Sequence, residues 1–433
     1  MSNWLHCKIK DFFKIHYSGE WGNLSCGDEN DFNVLRSTNF GPDGKIDYSN
    51  VVVRNIPKTK QLKTVLKKGD ILLEKSGGGP TQPVGRVVLF CKDSKEYVCA
   101  NFIQRMCLKE DFDSTFVLYK LMQIYYLGIT SKHEQQTTGI RNLKLSKYLD
   151  EECLIPPLPQ QRKIARILTT VDNLIEKTEA LIAKYQSIKQ GLMHDLFTRG
   201  VDANGKLRPP QSEVPELYKQ SELGWIPMEW EVERLGVFTT IVRGSSPRPK
   251  GDPRYYGGSV PRLMVEDVTR DGKFVLPKVD FLTEAGAALS RPMPSGSLTL
   301  VCSGTVGIPA FLGVDACIHD GFLGFRRIGD SCLSDYLYYQ FVLLKGQMDT
   351  IATHGGIFTN LTTGIVKDLQ VALPPVSEQK KIAEMLSICE KRVEAEIIQL
   401  AKYKNLKTAL MQDLLTGKVQ VKPDEVDMEP AHE

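Results

Sequence analysis

At 433 residues the chain is too long for one ordinary core, and roughly two to four domains are expected. Hydrophobic residues make up 42% and charged residues 25%, the balance of a soluble globular protein rather than a disordered or membrane-embedded one. A formal charge of +3 excludes a globally basic coat for nucleic acid, yet it leaves room for a local basic face balanced by acidic surface elsewhere.

Residues 1–154 mix short β-like runs (Val51–Val53, Ile71–Leu73, Val87–Phe90) with a helical stretch over Phe116–Leu127, which predicts a compact α/β unit. Three of its segments carry groups suited to base edges and phosphates: Arg36-Ser37-Thr38-Asn39, the run from Lys75-Ser76 to Gln82, and His133–Gly139. In 155–198 the apolar residues Ile164, Leu168, Val171, Ile175, Ile182, Tyr185, Leu192 and Leu196 recur every three or four positions. That period predicts one long amphipathic helix, started by Pro156, Pro157 and Pro159 and ended before Gly200. Over the 37 residues of 161–197, at 1.5 Å each, the helix is roughly 55 Å long.

Residues 199–229, rich in Gly, Pro and charge, read as a connecting segment. A second α/β unit is expected over 230–372, with a strand at Leu298–Val301 and a helix at Ser334–Leu344. Its loop Arg243-Gly244-Ser245-Ser246-Pro247-Arg248-Pro249-Lys250 leads to Arg254-Tyr255-Tyr256 and is basic, aromatic and short of acid. His354 to Asn360 sits where His133–Gly139 sits in the first unit. Residues 373–417 repeat the helical pattern from Ile382 to Leu414, and 418–433 read as a flexible tail. Two long helices with apolar stripes, each following its own globular unit, predict an antiparallel coiled coil.

The chain repeats itself. Residues 155–200 align without a gap to 373–418 at an offset of 218, with 17 identities in 46 positions. Gln161-x-Lys163-Ile164-Ala165 recurs as Gln379-x-Lys381-Ile382-Ala383, and Asp43-Gly44-Lys45 recurs as Asp271-Gly272-Lys273. A period this long is a duplicated domain, so a pseudo-two-fold repeat of globular unit and helix is expected.

Motifs for bond-making chemistry fail one after another. The Pro-Pro pairs, Ile155-Pro156-Pro157-Leu158 and Leu373-Pro374-Pro375-Val376, lack the polar and aromatic residues with which a base methyltransferase holds a flipped base. Ser76-Gly77-Gly78-Gly79 lacks the G-K-[ST] ending of a phosphate loop. Asp-Gly-Lys, with Glu266 and Asp267 upstream in the second copy, resembles the tail of a nuclease metal site, but Asp-Gly is also a common hairpin turn. Ten cysteines without a C-x-x-C pair fit reduced thiols in a cytoplasm. Neither a secretory leader nor a stretch long enough to span a membrane is visible.

Leu154-Ile-Pro-Pro-Leu-Pro-Gln-Gln-Arg-Lys-Ile-Ala165 with its copy Ala372–Ala383, Ser221-Glu-Leu-Gly-Trp-Ile-Pro-Met-Glu-Trp230 and Gly69–Gly78 resemble the specificity subunits of Type I restriction–modification complexes over nearly the whole chain. The first unit departs from the pattern by lacking the Gly-Trp-Ile-Pro lead before Trp4. The resemblance implies a non-catalytic reader of double-stranded DNA, with one recognition domain per half of a split target and the helices as a ruler. It further implies two modification subunits that bind S-adenosylmethionine and two restriction subunits that use ATP and Mg²⁺, with no cofactor in this chain. DNA contacts are expected from Arg36, Ser37, Thr38, Asn39, Lys75, Ser76, Gln82, Arg243, Ser245, Arg248, Lys250, Arg254, Tyr255, Tyr256, His354 and Asn360. A DNA-free coiled-coil adaptor and a Mg-dependent nuclease remain the alternatives.

Overall fold

The computed structural model describes residues 4–79, 81–137, 139–355 and 358–428, with only the backbone described at 137, 353–355 and 358–359. It divides into two compact units, one made of 1–180 and 398–433, the other of 181–397.

In the first unit, strand β1 (Phe13–Ser18) pairs with β5 (Ile103–Leu108), which pairs with β3 (Ile71–Glu74), all antiparallel. Strand β3 is buried along its whole length and is central in its sheet, hence its unbroken Ile71-Leu72-Leu73 run. A second sheet sets β2 (Asp31–Leu35) parallel to β4 (Tyr97–Cys99). Helix α1 (Ser114–Tyr126) starts at Asp113, whose carboxylate accepts from the Phe116 N–H at 2.8 Å.

The second unit repeats this plan. Strand β6 (Thr239–Arg243) pairs with β10 (Phe322–Ile328), and β10 with β8 (Leu298–Val301). Strand β7 (Tyr256–Leu263) runs parallel to β9 (Ala316–Ile318). Leu298–Val301 is buried throughout, as is its counterpart Ile71–Glu74.

The two long helices form as the period predicts: α2 spans Leu158–Thr198, 41 residues, and α4 spans Val376–Leu414, 39 residues, with α3 (Ser334–Ile351) between them in sequence. Within the first unit Asp172 pairs with Lys407 and Glu179 with Lys404, both at 2.7 Å. Within the second, Lys189 meets Glu390 at 2.6 Å and Arg392 lies 5.5 Å from the Tyr185 ring. In both units rising numbers on α2 match falling numbers on α4, so the pairing is antiparallel.

The repeated Gln-x-Lys has a structural cause. Gln161 and Gln379 are buried, and their side-chain oxygens accept from the Asp113 N–H at 3.0 Å and the Leu333 N–H at 2.8 Å, at the starts of α1 and α3. Their amides donate to Pro156 and Pro374 carbonyls, 2.9 and 2.8 Å away. Each glutamine thus locks a long helix to the start of α1 or α3 in its own unit. Lys163 bonds Asp424, and Lys381 donates to the Ala203 carbonyl, so each lysine holds the segment that follows the other long helix.

Those following segments are more ordered than their composition suggests. Within 199–229, Val201 is buried, and Tyr218–Ser221 pairs with Gly224–Pro227 as a hairpin. Arg208 makes a two-pronged ion pair with the buried Glu378, which also accepts from Val201 N–H at 2.8 Å and Trp230 Nε1 at 3.2 Å. The reading of 418–433 as a flexible tail is corrected for 418–428, where Asp424 and Asp427 pair with Arg166 at 2.5 and 3.0 Å. Charge suited to solvent is here used to hold the chain onto α2. Residues 429–433 lie outside the described residues.

Each unit's core also takes in the end of a helix that began elsewhere. Met411, Leu414 and Leu415 join Trp4, Phe12 and Phe116 in the first unit; Met193, Leu196 and Phe197 join Trp230, Tyr336 and Leu337 in the second. Gly417 at φ +76° and Gly200 at φ +63° end the two helices against the indoles of Trp4 and Trp230, where a Cβ would fall 3.2 and 2.5 Å from the rings.

Candidate nucleic-acid interface

Both units present the same backbone frame at the end of their first sheet. After β1 the Gly19 N–H donates to the Ile103 carbonyl, and after β6 the Gly244 N–H donates to the Phe322 carbonyl, each at 2.9 Å. A Cβ on Gly19 would lie 2.2 Å from the Cys99 oxygen, and one on Gly244 2.0 Å from the His319 oxygen, so only glycine passes. The chain then re-enters after β3 as Lys75-Ser76-Gly77, and after β8 as Cys302-Ser303-Gly304. There Lys75 O accepts from Leu143 N–H and Cys302 O from Leu361 N–H, both at 2.8 Å. This register brings Asn142 beside Ser76 and Asn360 beside Ser303.

On the first frame, Lys75 donates to the Ser18 hydroxyl at 2.6 Å, and burial holds its pKa below the ordinary lysine value. Ser76 donates to Asn142 Oδ1 at 2.7 Å. Gln82 is exposed, at the end of a turn closed by the Gly79 N–H donating to the Gln82 carbonyl at 2.9 Å. Arg36 donates to the Asn50 carbonyl at 3.0 Å, Ser37 is half-buried and Thr38 is exposed. Asn39 corrects an expectation: it is 2% exposed, accepts from Arg36 N–H and donates to the Asp47 and Asn50 carbonyls. It builds the turn, and its side chain is buried away from any base. Asp267 holds the same place in the second unit, accepting from Met264 N–H at 3.1 Å.

The second frame is more basic. Arg243 donates from Nε to the Asp320 carbonyl at 3.0 Å and from Nη2 to Asn360 Oδ1 at 3.1 Å. Ser245 donates to the Leu289 carbonyl, and Tyr256 donates to the Pro247 carbonyl at 2.8 Å, pinning the loop. Buried Arg262 braces it from below, donating to Ser246 Oγ at 2.6 Å and Asp280 at 2.5 Å. Arg248 and Lys250 are exposed. Arg254 pairs with Asp252 at 2.7 Å and lies 5.4 Å from the Tyr255 ring. The side chain of His354 falls outside the described residues.

Sequence reasoning missed Asn142 and Asp320. Asn142 could be found only from the strand register that sets it beside Ser76, because the segment expected to contact DNA stops at Gly139. Asp320 carries no motif. Burial raises its pKa, but hydrogen bonds from Ser246 and His319 outweigh that and hold it below the ordinary carboxylate value.

Features that invited an enzymatic reading have structural duties. Ser76–Gly78 is a strand paired with Ile140–Leu143 rather than a phosphate loop. Asp43 sits in a turn and Asp271 ends a short helix (Val265–Asp271), and the glycines that follow them have φ of +82° and +76°. Asp271 accepts from Arg270 and from the Leu276 N–H at 2.9 Å, and Asp267 is fully buried, bonded to two backbone amides and Arg270. Lys273 lies within 6 Å of four aromatic rings (4.6 Å from Tyr339 at the nearest) and bonds Asp335 at 3.0 Å. No helix among the described residues is long and apolar enough to cross a membrane.

Residues 1–185 and 227–403 match the family described as Type I restriction modification DNA specificity domain. The putative type I restriction enzyme MjaX specificity subunit of Methanocaldococcus jannaschii is 25% identical over 385 residues, covering 88% of this chain and 85% of that protein. The MjaVIII specificity subunit of the same organism is 26% identical over 302 residues, 67% of each chain. Among solved structures, the S subunit of a Type-I restriction-modification system from M. genitalium aligns over 96% of both chains with a TM-score of 0.57 at 14% identity. A chain from a study of type I R-M complex assembly and conformational transition aligns over 96% of this chain and 98% of its own, with a TM-score of 0.56 at 16% identity. These two likenesses speak for the fold. With two copies of the specificity domain matched across most of its length, the chain belongs to the Type I restriction–modification DNA specificity family, as the non-catalytic subunit that recognises the DNA sequence.

Proposed function

We propose that each unit reads one half of a split, asymmetric DNA target, with the paired helices spanning an unread spacer between the halves. The observation that carries this is the duplicated frame bearing different side chains at matching points: Ser18 and Lys75 on one copy, Arg243 and Cys302 on the other, around a shared asparagine, Asn142 or Asn360. Arginine pairs with guanine, and asparagine or glutamine with adenine, through two hydrogen bonds each; the lysines and hydroxyls suit phosphates. Arg36, Ser37, Thr38, Lys75, Ser76 and Gln82 serve the first half-site. Arg243, Ser245, Arg248, Lys250, Arg254, Tyr255, Tyr256 and Asn360 serve the second, with His354 beside them. Asn39 is left out because its side chain is buried.

In this reading the subunit works in the cytoplasm with two modification subunits, which bring S-adenosylmethionine and carry out base methylation. Two restriction subunits bring ATP- and Mg²⁺-dependent cleavage. The test is to co-express the chain with its modification subunit and map methylated positions across the host genome. A single motif of two short defined halves around unread bases is the expected result. A well-assembled complex that adds no methylation, or a motif with one continuous block, would refute it.

A further inference from the structure

The more basic surface has a carboxylate inside it. Asp320 lies in the turn between β9 and β10 and touches three members of that surface, Arg243, Ser246 and Arg248. Its main-chain oxygen accepts from Arg243 Nε at 3.0 Å. Its Oδ1 accepts from Ser246 Oγ at 2.6 Å and lies 3.3 Å from His319 Nδ1, while Oδ2 stands 3.6 Å from Arg248 Nη2. The Asp320 side chain is 51% exposed and that of Arg248 70%, so both can meet DNA. The backbone bonds that equate Gly19 with Gly244 and Ile103 with Phe322 place Asn101 of the first unit where Asp320 stands in the second. There the Asn101 main-chain oxygen lies 3.5 Å from Ser18 Oγ, as Asp320 O faces Arg243. The frame therefore does not need an acid at this point, and the charge calls for its own account.

A carboxylate among DNA-facing groups has two opposed effects. It repels phosphate, which weakens binding to any sequence. It also fixes the direction of Ser246 and Arg248, which strengthens binding only where the DNA presents matching groups. Together they widen the gap between right and wrong sequences. We propose that Asp320 is a positioning residue for the second half-site: its carboxylate sets the arrangement of Ser246 and Arg248 and penalises binding to DNA of the wrong sequence. This rests on the two-reader function above.

Asp320→Asn installs the residue that the first unit carries at this place, Asn101, and keeps an acceptor for Ser246. In the full complex with modification subunits, D320N should bind non-target DNA about three- to five-fold tighter, the size of one exposed charge interaction. Its log–log salt slope should steepen by about one, because Arg248 becomes available to one more phosphate. The methylation map should keep the first half of the motif and become degenerate in the second. In an Arg248→Ala background the D320N slope change should vanish, and Asp320→Glu, which keeps the negative charge beside Arg248, should keep the wild-type slope. A merely structural role would move stability and leave the slope alone. A wild-type split motif that D320N leaves intact, degeneracy in both halves, or a slope change that persists without Arg248 would each overturn the inference. Absence of a split motif from the wild-type complex would instead overturn the functional reading, and this one with it.

Discussion

Glu378→Gln converts the second unit to what the first already has, since Gln160 stands at the matching position. The side chains of Glu378 and Arg208 are 7% and 12% exposed, so the ion pair is nearly dry. Removing one partner of such a pair costs about 3–5 kcal/mol, because the other charge stays buried without compensation. Two features pull the value to the lower end. Glutamine can still accept from the Val201 N–H, and Arg208 keeps Glu229 at 3.4 Å, an exposed carboxylate worth less than about 1 kcal/mol. The expected loss is about 3 kcal/mol, confined to the second unit. Amide hydrogen exchange read by mass spectrometry separates the units, and slow-exchanging peptides of α3 report it. Arg208→Met in the same chain should recover at least half of the loss, as the buried cation is then gone. A loss below about 1 kcal/mol, or no recovery in the double variant, would refute the argument that the ion pair holds 199–229 in place.

Gly244→Ala drives a methyl into the His319 carbonyl at 2.0 Å and should cost about 3 kcal/mol or more, while erasing second-half recognition and sparing the first; thermal unfolding and a methylation map check both effects. Asp271→Ala should shift stability by less than about 2 kcal/mol, and neither it nor the wild-type chain should nick DNA with Mg²⁺; Asp271-dependent nicking would revive the nuclease alternative. The hydrogen bond from Ser25, then those from Asn55, Gly27 and Cys26, hold the Asp31 carboxyl down to about 2. Since that folded pKa is depressed, the turn 25–31 keeps its full stabilisation above about pH 4 and should lose it as the pH falls toward 2. NMR of the Gly27 amide across that range tests the window.

The long helices were legible because the 3–4 period runs on for ten turns and proline and glycine mark its ends. The duplication was legible for a reason visible only in the structure: Gln161 and Gln379 each bind backbone in the same way, and Lys163 and Lys381 each hold the segment that follows the other long helix, so their identities are fixed by geometry that both units share. The reading surfaces were legible only as segments. Asn39 has the composition of a base reader, but its amide closes a turn, and polar side chains do both jobs with the same atoms. Asn142 and Asp320 reach the surface through strand register and a turn between strands, which no local pattern encodes. Charge-rich 199–229 and 418–428 looked solvated because their ion-pair partners on α4 and α2 are more than 100 residues away in the chain.

The first unit draws on both ends of the described chain, and this has a consequence for its synthesis. Lys120 donates to the Leu415 carbonyl across 295 residues, and Gln123 to that of Met411 across 288. On a ribosome residues 1–180 emerge before the second unit, but the helix end that seals their core arrives only after it. The second unit, contiguous over 181–397, has all its parts beforehand. Of the two, the one made first must wait with Trp4, Phe12 and Phe116 incompletely covered, so the protein's window of vulnerability to aggregation and proteolysis during translation falls on its first domain.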